Sequence, residues 1–195
     1  YYPRIQKLQV SDLLFVQLEQ DIAASYKALA AGEVPVLKVY SYIATETDDL
    51  LSIASRCSIP YETIATLNRL SSADAKLSGR KLLLPSCPGL FLPEISITPL
   101  EHIMEARTID TDFFLCYNFD QVSFGFFPDR RFSATERAFF TDTSLKPPII
   151  EGLISSPFGK RVSPISGQEH FHNGVDIAAA LGSSVFACRT GLVID

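Results

Sequence analysis

The chain reads as an α+β multidomain protein. It has an N-terminal helix, a strand-helix-helix-strand unit, a connective stretch holding a hairpin, and a β-rich C-terminal segment. Three observations predict this. Apolar residues recur every three or four positions between 11 and 31, the spacing of one helix face. Two short helical stripes lie between strand-like runs within residues 42–85. After Pro147-Pro148 the pattern turns to short runs punctuated by Gly and Pro, a β signal. The predicted boundaries are 1–38, 39–86, 87–147 and 148–195.

The N-terminal helix carries Leu14, Leu18, Ile22, Tyr26 and Leu29 on one face, with Ser11-Asp12 as its cap and Gly32 as its stop. Tyr42-Ile43-Ala44 then reads as a strand. Leu50, Ile53 and Ala54 stripe a first short helix, with cap and acid supplied by Thr47-Asp48-Asp49. Ile64, Leu67 and Leu70 stripe a second, entered at Pro60. Gly79 turns the chain into a strand over Lys81–Pro85. So small a unit has little core of its own and is expected to be marginal alone.

Residues 42–54, Asn68 and the run Leu77-Ser78-Gly79-Arg80-Lys81-Leu82-Leu83-Leu84-Pro85 together resemble a LysM module, the family that binds peptidoglycan and chitin. Thr47 departs from the family, which has Gly before its Asp-Thr-Leu. The resemblance implies a glycan groove between the loop after the first strand and the loop before the second. Thr45, Glu46, Thr47, Asp48 and Leu70 are its expected contacts for N-acetylglucosamine units. A module kept only as a spacer is the competing reading.

In residues 87–147, Pro88, Pro93 and Pro99 disfavour long elements. Thr98-Pro99-Leu100-Glu101 and Ser133-Ala134-Thr135-Glu136 are capping boxes, each opening a short helix, one to about Arg107 and one through Phe140. Phe113–Tyr117 and Val122–Phe127 read as a hairpin around Asn118-Phe119-Asp120-Gln121. Its phenylalanines need a neighbour to cover them, and the domain that follows is the expected one. A role in lining or covering a substrate groove is the sharper alternative.

Composition bounds the partners. The chain has 195 residues, is 47% hydrophobic and 20% charged, and so belongs with globular chains. A net charge of −5 argues against a nucleic-acid partner, which needs clustered Lys and Arg. No apolar run approaches the ~20 residues of a membrane span, the stretch from Ile22 to Ile43 being broken by Lys27, Glu33 and Lys38. Cys57, Cys87, Cys116 and Cys188 form no C-x-x-C pair, which argues against a zinc ribbon. Buried free thiols are the expectation, with one disulfide as the alternative. The start at Tyr1-Tyr2 and the stop within Gly191-Leu192-Val193-Ile194-Asp195 read as cut ends.

His172 and Asp176 are the candidate metal ligands. Four residues apart on a strand they would be about 13 Å from each other, too far to share an ion. Asn173-Gly174 between them favours a tight turn, and a turn can bring imidazole and carboxylate together. Taken alone, the pair reads equally as a surface His beside a strand-starting Asp.

The surrounding order is more specific. Ser155-Ser156-Pro157-Phe158-Gly159-Lys160-Arg161 leads into His172-Asn173-Gly174-Val175-Asp176-Ile177-Ala178-Ala179, then to Gly182 and a strand over Ser184–Ala187. This run resembles the N-terminal part of the lysostaphin-like (LytM-type) zinc metalloendopeptidases, which cleave peptides of peptidoglycan. By that resemblance His172 and Asp176 are two of three protein ligands to Zn2+. The third ligand and the catalytic histidines are expected downstream of Asp195, so the site within these residues is incomplete and the chain alone is expected to be inactive. The other histidines, His102 and His170, match no family ligand position; a surface helix and a groove rim or structural place are expected for them. The resemblances together imply a bacterial cell-envelope enzyme, periplasmic or otherwise outside the cytoplasm, that holds glycan and cuts peptide. The rival is a non-catalytic peptidoglycan binder whose peptidase-like domain serves as an activator or scaffold in wall remodelling.

Overall fold

A computed structural model describes residues 2–107, 115–142, 144, 147–149, 152–162, 167–189 and 191–192. The backbone of His170 is described and its side chain is not. A short strand β1 (Arg4–Ile5) precedes helix α1 (Leu13–Ala30). One oxygen of Asp12 accepts from the N–H groups of Leu14 and Phe15, at 2.9 and 3.3 Å, and so caps α1. The other oxygen gathers Gln6 and Lys7 N–H and ties the incoming chain to the cap. Gly32 ends the helix in the left-handed region (φ +73°), with its N–H on the Leu29 carbonyl and the Glu33 N–H on that of Ala28, a Schellman closure. The buried face is Phe15, Leu18, Ile22 and Ser25. The expected stripe is therefore turned: Tyr26 is 42% exposed and Leu14 only partly buried.

Strand β2 (Val39–Ile43) starts three residues before its expected place and pairs antiparallel with β3 (Lys81–Pro85), Tyr42 opposite Leu82. On its other edge β1 joins it in parallel, in the order β1-β2-β3. Between β2 and β3 lie α2 (Leu50–Cys57) and α3 (Tyr61–Leu67). The N-cap of α2 is Asp49, in a capping box with Ser52, rather than Thr47 or Asp48. Asn68, just after α3, stands in for a missing strand. Its side-chain amide donates to the Leu83 carbonyl and its Oδ1 accepts the Leu83 N–H, at 2.8 and 2.7 Å.

Helix α3 is buried all round, not along one stripe. The reason is a second sheet, in the order β4-β6-β5, built from β4 (Gly89–Pro93), β5 (Leu115–Phe119) and β6 (Val122–Pro128). Residues 87–147 are thus more than connective. Proline kept this stretch from being read as strand, yet β4 is an edge strand with Gly89 and Pro93 at its ends, where proline is tolerated. Its outer edge is closed by α3: Gly89 N–H donates to Thr63 Oγ1 and Phe91 N–H to Thr66 Oγ1, both at 3.1 Å. The β5–β6 hairpin turns on Asp120 and Gln121, both at positive φ (47° and 68°), as a two-residue I′ turn demands. Its rings pack backwards. Phe124 and Phe126 join Phe91, Cys87, Leu83 and Leu67 in one cluster, so the neighbour that covers them is the preceding unit and not the following one. Phe113 and Phe114 lie outside the described residues.

Helices α4 (Pro99–Ala106) and α5 (Ala134–Thr141) both start on their capping boxes. Leu100, Met104, Phe132 and Phe140 enter the main core beside α1, α2 and α3. Buried carboxylates tie these elements together: Glu101 to Arg69, Glu136 to Arg107, and Glu62 to Arg131.

The last segment holds two small antiparallel ladders. Strand β7 (Leu153–Ser156) pairs with β10 (Asp176–Ala178), and β8 (Gly159–Val162) with β9 (Glu169–His172). It approaches α4 at Gly159, where an added Cβ would lie 3.2 Å from Ala106. Residues 184–187 are not a strand; their described link to this segment is the Phe186 N–H donated to the Pro148 carbonyl.

Candidate functional site: the corner of two ladders

The site forms where β7 ends and β8 begins. Asp176 opens β10 directly opposite Ser156, and the register then slips so that Ile177 faces Ile154. Such a bulge re-aims the side chains around it. Here Ser155 is the extra residue, and its Oγ donates to the Asp176 carbonyl at 3.2 Å. His172 closes β9 opposite Gly159. The turn through Asn173-Gly174 then carries the chain into Asp176. His172 Nε2 lies 3.4 Å from Asp176 Oδ1, so the two predicted ligands are brought together.

His172 Nδ1 is 2.8 Å from the Pro157 carbonyl. A carbonyl oxygen can only accept, so Nδ1 carries the proton and donates it there. In its neutral form His172 presents the Nε2 lone pair to the Asp176 carboxylate. Two electron-rich atoms face each other at a distance longer than the 2.7–2.9 Å of a charge-assisted hydrogen bond. A cation between them removes the conflict. Two ligands at 2.0–2.2 Å from one tetrahedral ion are separated by about 3.3–3.6 Å, so the observed gap fits Zn2+. A His donating its second nitrogen to a backbone carbonyl is also the usual setting of a metal-bound imidazole. The His172 side chain is largely buried and that of Asp176 is open to solvent. Among the described residues no group of three or more His, Cys, Asp or Glu side chains that could hold a metal ion converges, so His172 and Asp176 stand as a candidate pair without a described third member.

The expected glycan contacts divide. Thr45, Glu46 and Thr47 are exposed on the loop after β2. Asp48 is turned inward and its carboxylate is fully engaged: it accepts from the Tyr42 hydroxyl (2.6 Å), Thr45 N–H and Oγ1 (2.8 Å each) and Arg56 (3.0 Å). Burial raises the Asp48 carboxyl, but these donors outweigh it and leave it below its usual range. Burial and the same bond push the Tyr42 hydroxyl up to about 12. Leu70 is 2% exposed and lies in the main core. Asp48 and Leu70 thus shape the loops and cannot offer their side chains to a sugar. The second loop is also tied down, because Ala73 N–H donates to the Phe140 carbonyl at the end of α5.

Both remaining histidine expectations change or fall away. His102 is on a helix, α4, but its side chain is only 16% exposed. The His170 side chain is outside the described residues. The cysteines are free; Cys57 and Cys87 are buried as expected, whereas Cys116 and Cys188 are exposed. Sequence reasoning missed Pro157 as part of the site. Its neighbourhood was visible in the Ser-Pro-Phe-Gly run, but a backbone carbonyl leaves no mark on residue type.

No family model, curated protein or solved structure matches the chain. Among the described residues no helix is long and apolar enough to cross a membrane.

Proposed function

We propose that this chain belongs to a peptidoglycan-binding zinc metalloendopeptidase of the lysostaphin-like type, acting in the bacterial cell envelope outside the cytoplasm. In this reading a LysM-like unit over residues 39–86 holds glycan and raises the local concentration of the peptide bonds to be cut. The observation that carries it is the His172–Asp176 pair: Nε2 and Oδ1 at ligand separation, with Nδ1–H committed to the Pro157 carbonyl. His172 would hold Zn2+ through Nε2 and Asp176 through Oδ1. When bound, zinc supplies a water of lowered pKa and polarises the scissile carbonyl. Catalytic zinc sites use three protein ligands. The reading therefore requires a third ligand and a general base from outside the described residues.

The test takes the natural polypeptide that carries these residues, strips it with chelator, and incubates it with purified peptidoglycan. Release of soluble peptide fragments should require added Zn2+ and should vanish in His172→Ala. Release that persists in this variant refutes the assignment. Sedimentation with peptidoglycan in the absence of any zinc-dependent release would instead favour the non-catalytic binder.

A further inference from the structure

We infer that the outer edge of β5 and the groove beside it form a docking surface for an extended segment of a partner protein, one that carries a Lys or Arg between apolar residues. Two independent features of the second sheet point to it. The first is an open edge. In the order β4-β6-β5, the β4 edge is closed by the threonines of α3 and β5 is left outermost. Phe119 pairs with Val122 across the two-residue turn, so Phe119, Tyr117 and Leu115 exchange hydrogen bonds with β6. Cys116 and Asn118 alternate with them. Their N–H and C=O groups point away from β6 and take no described backbone partner. Edge strands are usually blunted by Lys, Pro or a bulge. None of these is present in Leu115-Cys116-Tyr117-Asn118-Phe119, and its register with β6 is unbroken. Tyr2 fixes the turn end: its hydroxyl accepts the Asp120 N–H at 3.1 Å and its ring lies against Phe119.

The second feature is a groove of about 530 Å³ on one face of that sheet, inside the size range of ligand pockets. Leu92, Gly125 and Cys116 lie side by side across the three strands, so the floor is low over β6 and β5. Pro93 and Phe127 add apolar wall, and Glu94 and Glu105 are the charged residues of the lining. The Glu105 side chain is more than half exposed, with His102 Nδ1 at 3.6 Å, and Glu94 has no described ion pair. A residue paired with Cys116 on an added strand points to the same face as Cys116. With strands about 4.8 Å apart, a long side chain from that residue crosses Cys116 and enters the groove. Lys and Arg combine an apolar stem for the walls with a cation for the two carboxylates. The flanking residues of the segment fall on the opposite face, beside Leu115 and Tyr117, which are partly buried against the second cluster. Backbone pairing supplies affinity and the groove selects the side chain, as in strand addition generally. A second copy of β5 does not fit, because that strand has no cation to offer.

The test adds a capped peptide, Thr-Val-Lys-Val-Thr, to the 15N-labelled 195-residue chain and follows the amide signals up to millimolar peptide. The Cys116 and Asn118 amides should shift downfield and become protected from exchange. A matched peptide with Glu in place of Lys should bind about tenfold more weakly, since it brings like charges together. Glu94→Gln combined with Glu105→Gln should remove most of that difference. Asn118→Pro deletes an outward N–H without removing a bond to β6, and should weaken the Lys peptide severalfold. The Tyr117 and Phe126 amides check that the sheet persists, and the double Gln variant decides the matter should Asn118→Pro fail to fold. Silent Cys116 and Asn118 amides at millimolar Lys peptide overturn the proposal. Equal binding of the Lys and Glu peptides overturns it as well. So does an equal response to butylamine, which would make the groove an amine pocket beside an idle edge.

Discussion

At the scale of single residues, sequence named the residue types and structure decided which way each one faces. Glu46 and Thr47 remain exposed on their loop, while Asp48 one position later organises it from within. Nothing in the order Thr-Glu-Thr-Asp separates them. The separation comes from Tyr42 and Arg56, which converge on a single carboxylate from a strand and a helix. Two kinds of variant should therefore behave differently. A Glu46→Ala, Thr47→Ala double variant is expected to lower co-sedimentation with insoluble peptidoglycan about tenfold, a loss near 1.4 kcal/mol, with no change in melting temperature. Leu70→Ala should cost about 2–5 kcal/mol of stability, read in urea unfolding, because it opens a cavity in the main core. If the loop variant melts early, or Leu70→Ala does not, the division is wrong. His172 and Asp176 were legible because their spacing and the Asn173-Gly174 turn are local. The carbonyl that sets the tautomer was not.

At the scale of elements, local signals located the helices well. Three capping boxes and one Schellman closure bound α1, α2, α4 and α5, and the starts of all four and the ends of α1, α4 and α5 fall within a residue or two of expectation. The same caps do a second task that sequence did not reveal. Glu101 serves as N3 of its box and is also buried against Arg69, at 2.6 and 2.7 Å. Burial raises its carboxyl; Arg69 and the N–H groups of Ile97 and Thr98 lower it further than burial raises it, so the net shift is downward. A carboxyl depressed in the folded state stabilises the fold above its unfolded value, about 4.3, and that contribution is lost as pH falls through the folded value. Glu101→Gln should thus cost about 3 kcal/mol at pH 7, the scale of a broken buried ion pair. The gap from wild type should narrow as pH drops from 5 toward 3, measured by urea midpoints. A gap that is constant or widens on acidification contradicts the role given to Glu101. Strand β4 shows the limit of local reading. Its prolines count against a strand in isolation, and only the pairing with β6 and the threonines of α3 make it one.

At the scale of the whole molecule, the strand-helix-helix-strand unit has no surface of its own around α3. Every residue from Glu62 to Leu67 is buried, and the covering comes from β4, α4, α5 and the hairpin. A peptide of residues 39–86 should therefore stay largely unfolded in water, whereas residues 2–142 should unfold in one cooperative step. Circular dichroism and amide dispersion decide this. A folded 39–86 peptide would show that the second sheet is an accessory and not part of the core. The C-terminal segment leaves Leu153, Val162, Phe171, Val185 and Phe186 all substantially exposed.

Sequence by itself determined where the helices start and stop, where the hairpin turns, and which imidazole and carboxylate sit close enough to meet. These are short-range matters, governed by caps, positive-φ turns and the periodicity of apolar residues. Tertiary structure alone decided that the middle of the chain is core, that the phenylalanines cover the preceding unit, that Asp48 and Leu70 point inward, and that the Pro157 carbonyl accepts the Nδ1 proton of His172. Each of those depends on partners far along the chain, and burial and hydrogen bonding are settled only when those partners are in place.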